Sequence, residues 1–182
     1  IYDSYTPALY HHSSFVLEGG SIESDGKGSI LTTESCLLAS HRNQPLNKMD
    51  IEERLKNFFQ ADQILWLKHG HLSGDDTDGH IDTLARFCPN DTIAYVQCTD
   101  KNDGHYEELL KMEEELKELR TLDKRPYRLL PLPMTDAIYE NEERLPATYA
   151  NFLVINGAVL YPTYNQPEKD AKAGDVLKQA FP

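Results

Sequence analysis

Apolar and polar positions fall into blocks that recur along the chain. A short apolar run, Phe15-Val16-Leu17, follows Ser14 and breaks at Glu18-Gly19-Gly20; Ser29-Ile30-Leu31-Thr32-Thr33 then reads as a β-rich run. A polar connection with Pro45 leads to a segment that places Ile51, Leu55, Phe58 and Phe59 on one helical face, with Asp50 or Asn47 as N-cap. Ile64-Leu65-Trp66-Leu67 reads as a buried strand. The order strand, strand, helix, strand then returns. His80 to Phe87 and Thr92 to Gln97 predict two strands around a Pro89-Asn90-Asp91 turn. Leu109, Met112, Leu116 and Leu119 predict a helix from His105 to Arg120, and Tyr127 to Pro133 predicts the closing strand. A third series starts with Phe152-Leu153-Val154-Ile155, turns at Asn156-Gly157 and continues through Val159-Leu160-Tyr161. A helix from Lys169 to Phe181 follows, without a closing strand.

The pattern predicts an α/β chain holding two ββαβ units and most of a third, about 14–68, 80–133 and 150–182. Units that cannot bury both faces alone need neighbours, so a stack or ring completes them naturally, and a ring needs more units than these. The competing reading is an ordinary α/β domain whose element order repeats by chance.

Composition narrows the partners. With 40% hydrophobic and 26% charged residues, the 182-residue chain has the make-up of a soluble fold. Lys plus Arg number 18 against 30 Asp plus Glu, a net charge of −12, so no basic surplus exists to displace counterions from nucleic acid. No apolar run approaches the roughly 20 residues of a membrane span. An acidic chain is compatible with a small cationic substrate. Cys36, Cys88 and Cys98 cannot all pair within one chain and show no zinc-type spacing, which predicts a reducing, cytoplasmic setting. No signal peptide is apparent, and the opening residue Ile1 predicts an N-terminus that is processed or missing.

Ionisable residues crowd between His69 and Asp82, in His69-Gly70-His71-Leu72-Ser73-Gly74-Asp75-Asp76-Thr77-Asp78-Gly79-His80-Ile81-Asp82. If a strand starts here, period-two geometry sets His80 and Asp82 on one face, an arrangement suited to acid–base work beside a bound cation. A calcium loop fails, because Gly74 falls where the first Asp ligand belongs and Ala85 where the Glu belongs. A transition-metal site built from the histidines and carboxylates stays open, as does a plain solvated acidic turn. Glu18 is the second candidate: a carboxylate at the end of an apolar run, before two permissive glycines, suits close approach of a ligand or partner side chain. In the repeat reading Glu18 and His80 begin equivalent strands of successive units.

At these residues the sequence resembles the agmatine deiminase family of the guanidino-group-modifying superfamily. The matching stretches are Leu17-Glu18-Gly19-Gly20-Ser21, Thr32-Thr33-Glu34-Ser35-Cys36-Leu37-Leu38, Gly74-Asp75-Asp76-Thr77-Asp78-Gly79-His80-Ile81-Asp82, Leu130-Pro131-Leu132-Pro133-Met134 and Arg144-Leu145-Pro146-Ala147-Thr148-Tyr149-Ala150-Asn151-Phe152. The resemblance implies a five-fold pseudosymmetric α/β propeller (pentein) of ββαβ units, of which this chain would hold about two and two-thirds. It implies metal-free and cofactor-free conversion of agmatine to N-carbamoylputrescine, on the route to putrescine and polyamines, through a covalent cysteine intermediate. His80 resembles the family's acid–base histidine, Glu18 its carboxylate partner, and Asp82 one of two carboxylates that grip the guanidinium. The family's other such Asp would precede Ile1 and its nucleophilic Cys would follow Pro182. Cys36, in a family-like strand, is expected to be structural. The chain is therefore expected to be an inactive internal fragment of a single deiminase domain, with no nucleic-acid or membrane partner and with room for a homo-oligomer. Peptidyl-arginine deiminase activity, a metal-dependent hydrolase and a non-catalytic fragment are the rival readings.

Overall fold

Parallel strands need a crossover, and the sequence supplies a helix at each place where one is required. In the computed structural model, which describes residues 15–182, β1 (Ile22–Ser24) runs antiparallel to β2 (Ser29–Thr33), and β2 runs parallel to β3 (Gln63–Leu67). Between β2 and β3 lie a one-turn helix α1 (Glu34–Leu37) and the crossover helix α2 (Lys48–Phe59). A second three-stranded sheet repeats this order and sense: β4 (Ala85–Cys88) is antiparallel to β5 (Thr92–Gln97), β5 is parallel to β6 (Arg128–Pro133), and α3 (Tyr106–Glu118) makes the crossover. A small hairpin, β7 (Tyr139–Glu140) with β8 (Glu143–Arg144), turns through left-handed Asn141 and Glu142. The hairpin β9 (Leu153–Ile155) with β10 (Ala158–Leu160) and the helix α4 (Pro167–Ala180) complete an α/β chain with mixed sheets. The expected start of the first unit at Ser14, and Ile1, lie outside the described residues.

Local chemistry explains most element limits. Asn47, not Asp50, caps α2; its side chain accepts from Met49 and Asp50 N–H while Asp50 returns the bond to Asn47 N–H, a capping box. Ile51 and Leu55 are buried on this helix as expected, whereas Phe58 and Phe59 are partly exposed and Phe58 meets Phe15 edge-on. Pro131 and Pro133 are tolerated in β6 because it is an edge strand. The core runs between the two sheets, where Leu31 and Leu67 meet Ile81, Leu84, Ile93, Val96, Leu109 and Met112.

Three expectations are corrected. Phe15-Val16-Leu17 is not a strand: Val16 N–H donates to Asn43 Oδ1 (2.8 Å) and Val16 C=O accepts from Asn43 Nδ2 (3.0 Å), so a side chain replaces the strand ladder. Residues 80–84 are not strand either. Thr83 Oγ1 donates to His80 C=O (2.8 Å) and Leu84 N–H to Ile81 C=O (3.0 Å), closing a 3₁₀ turn over Ile81–Thr83, and the strand begins only at Ala85. Cys36 lies in helix α1 rather than a strand, because Thr33 Oγ1 accepts from Cys36 N–H and caps that turn.

Candidate active site

Two one-turn 3₁₀ helices, Gly19–Ser21 and Ile81–Thr83, pack against each other. Glu18 immediately precedes the first and His80 the second, so the two side chains meet because their backbones enter equivalent turns. Ser21 locks the first turn by donating both N–H and Oγ to Glu18 C=O, at 3.1 and 2.6 Å. The second turn is held by the acidic loop ahead of it. Asp75 accepts from Thr77 N–H (3.1 Å), Thr77 Oγ1 (2.5 Å) and Gly79 N–H (2.6 Å), while Thr33 Oγ1 reaches across to Gly79 C=O (2.6 Å). Gly79 has φ +82, and a Cβ there would meet Ser35 Oγ at 2.7 Å, so the residue before His80 answers both to backbone and to space.

His80 Nε2 lies 3.5 Å from Glu18 Oε2, within ion-pair reach but without hydrogen-bond geometry. His80 Nε2 and Asp82 Oδ1 are both buried and have no hydrogen-bond partner among the described residues. Gly20 makes their approach feasible: a Cβ on it would lie 2.6 Å from both Asp82 Oδ2 and His80 Nδ1, whereas one on Gly19 would meet nothing within 4 Å. His80 and Asp82 therefore do not share the strand face that period-two geometry predicts, yet both side chains face Gly20.

The electrostatics of the two carboxylates differ in sign. Hydrogen bonds from Arg42 hold Glu18 below the usual carboxylate range, helped by the charge of His80. Burial pushes Asp82 above it, partly offset by His80 and Arg86. Arg42 was invisible to sequence reasoning. It donates through Nε to Glu18 Oε2 (2.9 Å) and through Nη2 to Oε1 (3.2 Å), and its Nη1 reaches Asp78 Oδ2 at 2.6 Å.

The remaining candidates sort by position. His69 pairs with Glu108 of α3 (2.9 Å) and His71 is exposed. Among the described residues, Glu18, Cys36 and His80 form the group able to offer three ligand atoms to an ion, all within 4.8 Å of one another. One feature opposes that use: Arg42 already occupies Glu18. Burial pushes the Cys36 thiol up to about 12. Burial likewise raises Cys88, to about 11, and Cys98. A thiolate nucleophile needs the opposite environment. No helix among the described residues is long and apolar enough to cross a membrane.

Comparison with known proteins shows which family the chain resembles along its length. A family model described as Porphyromonas-type peptidyl-arginine deiminase matches residues 3–182. The agmatine deiminase of Pseudomonas aeruginosa (strain UCBPP-PA14) is 33% identical over 193 residues, covering 96% of this chain and 52% of its own length. A substrate-bound cysteine-to-serine variant of C. jejuni agmatine deiminase superposes with a TM-score of 0.85 at 47% identity, over 92% of this chain and 48% of that one. An Enterococcus faecalis agmatine deiminase structure gives a TM-score of 0.83 at 30% identity, over 93% and 50%. The chain spans about half the length of the curated relatives it matches. With the match running over nearly the whole chain, the protein belongs to the Porphyromonas-type peptidyl-arginine deiminase family.

Proposed function

We propose that this chain is part of an agmatine deiminase-type hydrolase and carries the acid–base half of its active site. The observation that carries this reading is the pair of buried, unpartnered atoms His80 Nε2 and Asp82 Oδ1 beside a clamped Glu18. Buried polar atoms without partners are costly, and a planar cation with N–H groups on two edges would satisfy such a site. Asp82 grips the guanidinium through charge-assisted hydrogen bonds. A cysteine thiolate from outside this chain adds to the guanidinium carbon, and His80 gives its proton to the departing ammonia. Water then enters, His80 takes its proton, and the carbon–sulfur bond breaks to leave the ureido product. Glu18 orients His80 and favours its charged form. The turnover consumes agmatine and water and yields N-carbamoylputrescine and ammonia.

The recurring sheet pattern supports a five-fold α/β propeller in which these residues belong to one incomplete domain of ββαβ units at about 14–68, 80–133 and 150–182. Three free cysteines support a cytoplasmic setting. The chemistry assigned here requires neither metal nor cofactor.

The test is ammonia and ureido release from agmatine, from free arginine and from a peptide containing arginine, with the full-length protein and with the 182-residue chain alone. Turnover of agmatine by the full-length protein, unaffected by a strong chelator, together with none by the isolated chain, is the expected result. Preference for the peptide would support the peptidyl-arginine reading, which the description of the matching family favours. Loss of activity on chelation would promote the metal-dependent one, and no turnover of any substrate would leave a non-catalytic role.

A further inference from the structure

Arg42 and Asn43 grip the segment that ends at Glu18 from two sides. Asn43 is buried and bonds both the N–H and the C=O of Val16. Arg42, with a side chain only 6% exposed, forks onto both oxygens of Glu18, whose own side chain is 40% exposed. The same guanidinium reaches Asp78 Oδ2 (2.6 Å), Cys36 C=O (3.2 Å) and Thr77 C=O (2.9 Å). We propose that Arg42 is a positioning residue: it clamps Glu18 in the orientation in which that carboxylate serves His80, with Asp78 as the counter-charge that keeps the clamp from neutralising Glu18. This inference rests on the acid–base roles proposed above.

The Gly19–Ser21 turn fixes the backbone of Glu18 but not the plane of its carboxylate, and a half-exposed carboxylate left to itself turns to water. A bidentate guanidinium fixes the plane of the carboxylate as a lysine ammonium, a point charge, does not. The same group registers three segments against one another: Glu18, the helix α1 at Cys36, and the loop at Thr77 and Asp78 just before His80. An arginine alone, however, would cancel the charge that Glu18 presents to the imidazole. Asp78 shares the guanidinium, so the trio of Glu18, Arg42 and Asp78 keeps one net negative charge facing His80. His41, 2.9 Å from Asp78 Oδ2, covers that carboxylate from the solvent side.

The full-length protein tests this with R42Q, R42K, E18Q and the double variant R42Q/E18Q, assayed for ammonia release from agmatine. R42Q should lower kcat ~10²-fold, the cost of displacing a catalytic group by roughly 1 Å, with KM changed less than about threefold. R42K, which keeps the charge without the fork, should recover about tenfold of that loss. On the E18Q background the same R42Q change should cost less than about threefold, because the clamp then has nothing to orient. A purely structural arginine would cost as much in both backgrounds, and that result overturns the proposal, as does an R42Q enzyme within about threefold of the wild type. Circular dichroism and Tm establish that R42Q folds; if it does not, the cost of R42K in the wild type against its cost in E18Q decides in the same way. Should the wild type turn over no guanidino substrate, the acid–base reading fails first. The clamp is then judged by ¹⁵N NMR of the His80 ring, which R42Q should shift in the wild-type background and not in E18Q; an unshifted ring overturns it.

Discussion

Glu18 and Asp82 carry the same functional group within one small space, yet the protein treats them oppositely. Glu18 is half-exposed, forked by Arg42 and held below the usual carboxylate range. Asp82 is half-buried, has an Oδ1 without a partner among the described residues and is pushed above that range by burial. Full pairing fixes a group in advance, whereas missing pairing leaves free energy for a ligand to recover. A site built from both has one side already organised and the other waiting for a cation.

The sharpest way to break the contrast is at Asp82. Asp82→Asn should lower kcat/KM for agmatine by ~10³-fold, as for loss of a buried charged partner, measured on the full-length protein. Stability should move the other way. A carboxylate whose folded pKa is raised contributes stability at low pH that is lost as pH rises through the folded value, so removing its charge should stabilise the fold at neutral pH. The gain should fade as the pH falls into the range where Asp82 is protonated. Glu18→Gln should do the reverse. Its lowered pKa gives stability above the ordinary carboxylate value that is lost as pH falls, so this variant is weaker at neutral pH and converges with the wild type in acid. Denaturant unfolding at neutral and at acid pH reads the two signs; equal signs would erase the distinction between the two carboxylates.

Next in size is Gly20→Ala. Its Cβ would press on His80 and Asp82 at once, and activity should drop ~10²-fold for a shift near 1 Å, while Gly19→Ala changes it less than about twofold. Similar losses at both glycines would mean backbone freedom matters, not space. The smallest effect is expected at Cys36→Ser. If the site works without metal and without this buried thiol, kcat should stay within about threefold of the wild type, whereas a metal-ligand role predicts a loss of 10- to 100-fold.

Much of this was legible in the sequence because the informative residues stand beside local signals. Glu18 follows an apolar run and precedes two glycines, and His80 closes a glycine- and aspartate-rich loop. The crossover helices announced themselves by their period. Arg42 gave no such signal: its two carboxylate partners lie 24 and 36 residues away, and a lone arginine in a polar connection has no period to reveal it. The strand assigned to Phe15-Val16-Leu17 fails for a related reason. An apolar extended run looks the same whether its backbone is satisfied by a neighbouring strand or, as here, by the side chain of Asn43. At His80 the pattern gave the right neighbours through the wrong geometry, since a 3₁₀ turn rather than a pleat brings His80 and Asp82 to Gly20. The hairpin of β7 and β8 has strands of two residues each, too short for any alternation to register.

The hairpin of β9 and β10 carries a different kind of consequence. Leu153, Val154, Ile155 and Leu160 are each close to half exposed or more, and the three consecutive residues of β9 point to both faces of the ribbon. A strand meant for water shows polar residues on at least one side; this one shows none. Its colloidal behaviour therefore depends on how often two molecules meet, and dilution becomes as much a condition of keeping the 182-residue chain dispersed as pH or salt.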